Sequence, residues 1–202
     1  MISDRYIGGG MDDSLLRNLR AATADLHRNL EKTSLVRGLL TDIQLHDYIR
    51  FMHILSLIYA RHEDAARCLL VRHGLLFPDT WPAMFPVIEA DRRRLELEPD
   101  KPQSQRETQD NIDTLAAALG CLYVLEGALV GRQALARIIE NRTDWHGRYD
   151  LHFHQVDHAS CLQRWRDFEH ILHQPHLGHT DMQMAADAAV ALFNDFIQAI
   201  NG

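Results

Sequence analysis

Cysteine is scarce in this chain of 202 residues: there are three, Cys68, Cys121 and Cys161, widely spaced and without any C-x-x-C pair. An odd, scattered set argues against a disulfide framework, and it predicts buried free thiols in a reducing compartment, the cytoplasm. Long apolar runs are also missing. The longest, Leu115 to Leu125, ends at Glu126 and reaches about half of the ~20 residues that a bilayer span requires, so no membrane-spanning segment is expected. Positive charge is in deficit, with 21 Lys and Arg against 28 Asp and Glu and a net charge of −7. That balance argues against nucleic acid and anionic membranes as partners. No stretch alternates apolar and polar residues with period two, which leaves an all-α chain. The nucleotide-binding, metalloprotease and serine-hydrolase signatures G-x-G-x-x-G, G-x-x-x-x-G-K-[ST], H-E-x-x-H and G-x-S-x-G are absent, as are the paired Glu-x-x-His motifs of a di-iron bundle.

What is present is ordinary soluble composition, 46% hydrophobic and 24% charged, in a chain long enough to bury on the order of 70% of its unfolded surface. A single domain over residues 11–202 is expected. Residues 1–10 lack an apolar signal core and end in three glycines before Met11, so they read as a flexible leader or extension.

Helical periodicity dominates the rest. Leu15, Leu19, Ala22, Leu26 and Leu30 share one face of a helix over about 15–34. After a break at Arg37-Gly38-Leu39, Thr41 or Asp42 can cap a long helix to about Val71, with Leu45, Tyr48, Ile49, Met52, Leu55, Ile58 and Tyr59 as its stripe. His46, His53 and His62 are expected at its solvent boundary. Three prolines between Phe77 and Pro86 mark a turn before a short helix whose Arg92, Arg93 and Arg94 read as a solvated face. Residues 98–110 are polar and loop-like. A glycine-interrupted helix follows from Asn111 to about Glu140, then a polar stretch with His152, His154 and His158, a poor zinc set without a fourth ligand. Helices from Ala159 to His173 and from about Thr180 close the chain, the last buried through Ala189, Leu192, Phe193, Phe196 and Ile197.

Two constellations carry chemistry. His27 sits on the shoulder of the first apolar stripe, with Thr23 and Arg20 four and seven residues before it and Glu31 four after, all along one edge. An imidazole can hold a metal through one nitrogen while a carboxylate orients the other, and Arg20 is placed for an anionic group. The bland alternative is a half-buried histidine satisfied by Glu31. On the other helix Gly120, Gly127 and Gly131 align, flanked by Ala116 and Ala134. Each internal glycine costs roughly 1 kcal/mol relative to alanine, so something approaches this backbone closely, either a flat ligand or a packed helix. Together a histidine with its carboxylate and a bare glycine face describe a place for a planar iron macrocycle.

The segment Leu19-Arg20-Ala21-Ala22-Thr23-Ala24-Asp25-Leu26-His27-Arg28-Asn29-Leu30-Glu31 resembles the L-[KR]-x-x-T-x-x-x-H-x-x-x-E motif of the haem oxygenase family. Leu122-Tyr123-Val124-Leu125-Glu126-Gly127-Ala128-Leu129-Val130-Gly131 is similar to the L-Y-V-L-E-G-S-x-L-G-G of its bacterial, phytochrome-associated branch. With Arg164-Trp165-Arg166 and the last helix, the resemblance runs in order from about Leu15 to Ile200. It implies a mostly α-helical fold with His27 as the proximal iron ligand and Glu31 beside it. Gly127 and Gly131 would lie on a kinked distal helix over the haem, and Arg20 with Arg164 or Arg166 would pair with the propionates. Haem would be substrate and cofactor at once. Molecular oxygen and electrons from a ferredoxin, flavodoxin or reductase would convert it to biliverdin, ferrous iron and carbon monoxide. Two positions depart from the pattern: Ala128 stands where relatives carry Asp or Ser near a water network, and Arg132 replaces the second paired glycine. An alanine holds no water, so such a network would need backbone or other side chains. A relative that binds or senses haem without opening it is the main alternative. A thiaminase-like relative would need a nucleophilic cysteine, for which Cys121 is the candidate.

Overall fold

The computed structural model describes residues 14–78, 81–95, 112–141, 151–153 and 158–202. Among these residues there are seven helices and no strand: α1 (Ser14–Lys32), α2 (Ser34–Thr41), α3 (Leu45–Arg72), α4 (Phe85–Arg94), α5 (Leu115–Glu140), α6 (His158–His173) and α7 (His179–Asn201). The expected leader 1–10, the polar loop 98–110, His154 and the side chain of His158 lie outside the described residues.

The first break falls earlier than the sequence pattern suggests. The Thr33 hydroxyl accepts the Val36 amide at 3.5 Å and starts α2, which continues through Gly38. Thr41, expected to cap the next helix, instead ends α2 with its hydroxyl donating to the Arg37 carbonyl at 2.8 Å. Fully buried Ile43 pins the short link, and α3 begins at Leu45 without a side-chain cap. The helix survives this because packing of its Tyr48, Met52, Leu55 and Tyr59 stripe outweighs a missing cap worth about 1 kcal/mol.

α3 also carries groups that the periodicity misplaces. His62 is buried, with Nε2 3.7 Å from Asp195 of α7, rather than at the solvent boundary. Glu63 is buried and accepts the Met84 and Phe85 amides at 2.7 and 2.8 Å, so a carboxylate from α3 satisfies the N-terminal donors of α4. Burial pushes the Glu63 carboxyl above the usual range, against the pull of those two amides and of Arg67. The three arginines of α4 are not one solvated face. Arg92 is buried and donates to Glu89 and Ser56, while Arg93 and Arg94 are exposed. Fully buried Asp91 accepts the His152 and Phe153 amides at 2.8 and 2.6 Å and so holds the 151–153 segment on α4. Cys121 and Cys161 are buried free thiols as expected, whereas Cys68 is exposed.

α5 is the centre of the bundle. It is long and apolar enough to cross a membrane by composition, yet its side chains are covered by α7, α3 and α6. Thr114 caps it through the Ala117 amide at 3.1 Å, and it runs to Glu140 as one uninterrupted α-helix. α7 lies against both α5 and α1, burying Ala185, Ala189, Leu192, Phe193 and Phe196, with Ile197 half-buried. Its start is held by Asp181, which accepts the Gly178 amide at 3.0 Å.

The reason for Gly120 is this packing. A Cβ built there would stand 2.0 Å from the Ala185 carbonyl oxygen and 2.9 Å from its carbon, so α7 approaches the α5 backbone where no side chain fits. Of the two explanations for an aligned glycine, close helix packing holds at this position, and Gly120 is removed from the ligand-binding set. Gly120→Val should lower stability by about 3 kcal/mol, the upper end of the usual overpacking cost. Urea unfolding checks this, and an unchanged midpoint would contradict the packing role.

Candidate functional site

The His27 edge of α1 is local in origin. Leu15 and Leu19 are buried against α7 while Leu26 and Leu30 are half-buried, so the helix rises out of the core toward its C-terminal half. His27 therefore stands at the surface, its side chain 48% exposed. Its Nδ1 lies 3.3 Å from Glu31 Oε1 and its ring centroid 5.9 Å from that of Phe193 on α7. With Nδ1 directed at a carboxylate, Nε2 is the nitrogen left to meet a metal. Among the described residues no group of three metal-ligating side chains exists, so His27 would be a single protein ligand.

Thr23 does not share the exposed edge. It is buried, its hydroxyl donates to the Leu19 carbonyl at 2.8 Å, and it lies 3.4 Å from the Tyr123 hydroxyl of α5. That contact joins α1 to α5 one helical turn before His27 on one helix and one turn before Gly127 on the other. Burial raises the Tyr123 phenol above its ordinary value, against the lowering effects of the Thr23 contact and the Arg20 charge.

The two remaining glycines differ from Gly120. Nothing lies within 4 Å of a Cβ built at Gly131, which is exposed, and at Gly127 the nearest atom is Trp165 Cζ3 at 3.8 Å. Ala128 between them is half-buried. A side chain would thus be tolerated by the protein itself at Gly131, and its absence leaves bare helix backbone.

α6 runs antiparallel to α5, with Trp165 against Gly127 and Cys161 against Arg132. Trp165 stacks at a tilt on Tyr123 and Phe168, with centroids at 6.0 and 5.8 Å, and donates its indole N–H to Glu169 at 2.7 Å. Glu169 Oε1 also receives Arg20 Nη2 at 3.2 Å. Tyr123, Trp165 and Glu169 form the polar and aromatic border of the site, and sequence reasoning missed Tyr123 and Glu169 altogether. The i,i+4 spacing of Trp165 and Glu169 was a readable signal, whereas the Arg20 partner, 149 residues away, was not.

Arg164 and Arg166 part company. Arg164 makes a bidentate pair with Glu126, at 2.6 and 2.8 Å, donates to the Pro82 carbonyl, and lies 4.9 Å over the Trp81 ring. Burial works against its charge, but hydrogen bonding and attraction from Glu126 outweigh this and hold its pKa above the ordinary arginine value. The resemblance offers Arg164 or Arg166 as the partner of Arg20 on the propionates; the structure pairs Arg164 with the buried carboxylate of Glu126 on α5. Arg166 is exposed and lines an open depression of about 460 Å³ with Ala159, Ser160, Leu162 and Gln163. Arg132 is buried over the Phe153 ring and donates to Cys161 Sγ at 3.2 Å. Cys121 is buried in the same helix.

The fold of the chain is similar to that of solved structures over nearly its whole length, among them two haem oxygenases. The haem oxygenase of Neisseria meningitidis, described in its NO- and CO-bound forms, superposes with a TM-score of 0.69 at 19% identity, covering 93% of this chain and 90% of that one. Haem oxygenase-1 of the cyanobacterium Synechocystis, in complex with haem, also gives 0.69, at 16% identity and the same coverage. The chain has the haem oxygenase fold. No family model matches it, and no curated protein matches it by sequence.

Arg164→Met should act on folding. Removing one member of a buried pair costs about 3–5 kcal/mol, which in a chain of this size corresponds to a drop in Tm of roughly 6–20 °C. Calorimetry tests it; a variant with native Tm that lost only ligand affinity would return Arg164 to the ligand site.

Proposed function

We propose that this chain binds haem one to one and opens it to biliverdin, with release of ferrous iron and carbon monoxide. The observation that carries the reading is His27, half-exposed on α1 with Nδ1 toward Glu31, on the fold of proteins that bind haem. The residues present fit the group. His27 Nε2 is the available ligand atom, Gly127 and Gly131 expose backbone to a flat face, and Arg20 offers a guanidinium fork to a carboxylate. When bound, haem supplies both the iron that activates oxygen and the ring that is consumed.

The chain's own residues do the rest. Glu31 accepts from His27 Nδ1, which fixes the tautomer and orientation of the ring and presents Nε2 as the ligand atom. The Thr23–Tyr123 contact sets the spacing of α1 from α5, and Trp165 limits how far a ligand slides along Gly127. Ala128 brings a methyl group where a hydrogen-bonding side chain would order water. Proton delivery therefore depends on water held by carbonyls of the 127–131 backbone. This same alanine favours a second reading, a protein that binds or senses haem without opening it. Electrons would come from a ferredoxin, flavodoxin or reductase, and biliverdin supply to a phytochrome pathway and a cytoplasmic location belong to the same proposal.

His27→Ala tests the ligand assignment. Hemin titration of the wild-type protein should saturate at one equivalent with an imidazole-ligated absorbance spectrum. The variant should lose that spectrum and bind more than about tenfold more weakly, since losing even the partner of a metal ligand costs about 10–100-fold. An unchanged spectrum in His27→Ala would remove His27 from the site.

A further inference from the structure

Arg20 is the cation nearest to the Tyr123 border of the site, yet it is not free. Its Nη2 is 3.2 Å from Glu169 Oε1, with side chains 37% and 19% exposed. The same oxygen accepts the Trp165 indole N–H at 2.7 Å, and Trp165 is the side chain laid against Gly127. One carboxylate oxygen therefore both occupies the guanidinium and positions the aromatic wall beside the bare backbone. The nearest arginines do not relieve this competition. Arg164 is committed to Glu126 at 2.6 Å, and Arg166, two positions further on α6, is exposed on the Ala159–Gln163 side.

We propose that Glu169 is a specificity-determining residue of the ligand site. It is a resident carboxylate on Arg20, against which an ionised carboxylate of the ligand must compete, so that it weakens diacid porphyrins selectively. The inference rests on the haem-binding reading and adds to it a residue that sets ligand selectivity. A guanidinium presents five donors, so a ligand carboxylate can share Arg20 with Glu169 or displace it. In either case two like charges meet at one cation, and the repulsion acts only on ligands that carry the charge. The hold on Trp165 is separable, because a glutamine carbonyl accepts the same indole N–H without the charge.

The experiment compares hemin with hemin dimethyl ester, which keeps the iron and ring but lacks ionised carboxylates, in the intact protein. Glu169→Gln should tighten hemin about three- to fivefold, the size of one partly exposed ion pair, and leave the ester unchanged. Arg20→Met should weaken hemin by a similar factor and also leave the ester unchanged. Equal changes for both ligands in Glu169→Gln would mean that Glu169 acts only by holding Trp165, and no change for either would mean that it does not face the ligand. Both results overturn the inference while leaving haem binding intact. A wild-type protein that bound neither porphyrin would instead overturn the functional reading beneath it.

Discussion

The backbone of α5 at Gly120 and the carbonyl of Ala185 on α7 meet at a distance that admits no side chain, and the placing of the site depends on that approach. α7 lies on α5 there, α1 lies along α7, and Phe193 of α7 stands beside the His27 ring. The Thr23–Tyr123 contact then closes the triangle between α1 and α5. A methyl group at Gly120 would push α7 outward and carry α1 with it. A glycine without ligand contact is thus a condition for the position of the residue expected to hold the iron, because a packed interior transmits such displacements rather than absorbing them.

Much of this architecture is readable from the chain. The stripe Leu15, Leu19, Leu26 and Leu30, the Thr114 cap, Pro86 in the first turn of α4 and the i,i+4 pair of His27 and Glu31 are local features with local causes. What the pattern misplaces depends on partners far away in sequence. Arg164 and Arg166 are equivalent candidates by the resemblance until Glu126 is seen in the middle of an apolar helix. A buried carboxylate there needs a cation, and a single acid inside the Leu115 to Leu135 stretch was the signal for it. Arg92 and His62 go inside because Glu89, Ser56 and Asp195 lie near them. Periodicity assigns a side chain to a face and says nothing about whether that face meets another helix. The three aligned glycines show the same limit: Gly120 is packed against α7, Gly127 lies against the Trp165 ring, and Gly131 is open.

The polar border of the site is built from second uses of helix-surface residues. Glu169 accepts from Trp165 on its own helix and from Arg20 on another, and Tyr123 touches Thr23 with its hydroxyl and Trp165 with its ring. Along α5, Ala128 and Arg132 lie one turn apart, a methyl group followed by a buried cation that faces Phe153 and Cys161. Relatives named by the resemblance carry a polar residue and a glycine at these positions. Ala128 offers no side chain that would order water beside a bound ring, and turnover would depend on such water where binding would not.

The most direct test is single turnover. The hemin-loaded protein is mixed with a reductase system and oxygen in the presence of catalase, which removes free hydrogen peroxide that could degrade haem without the enzyme's help. The account predicts slow loss of the haem absorbance, growth of a biliverdin band, and one equivalent of carbon monoxide captured by a haem-protein trap. A biliverdin band that forms only when catalase is omitted, with no carbon monoxide in its presence, would contradict it and leave a haem-binding protein.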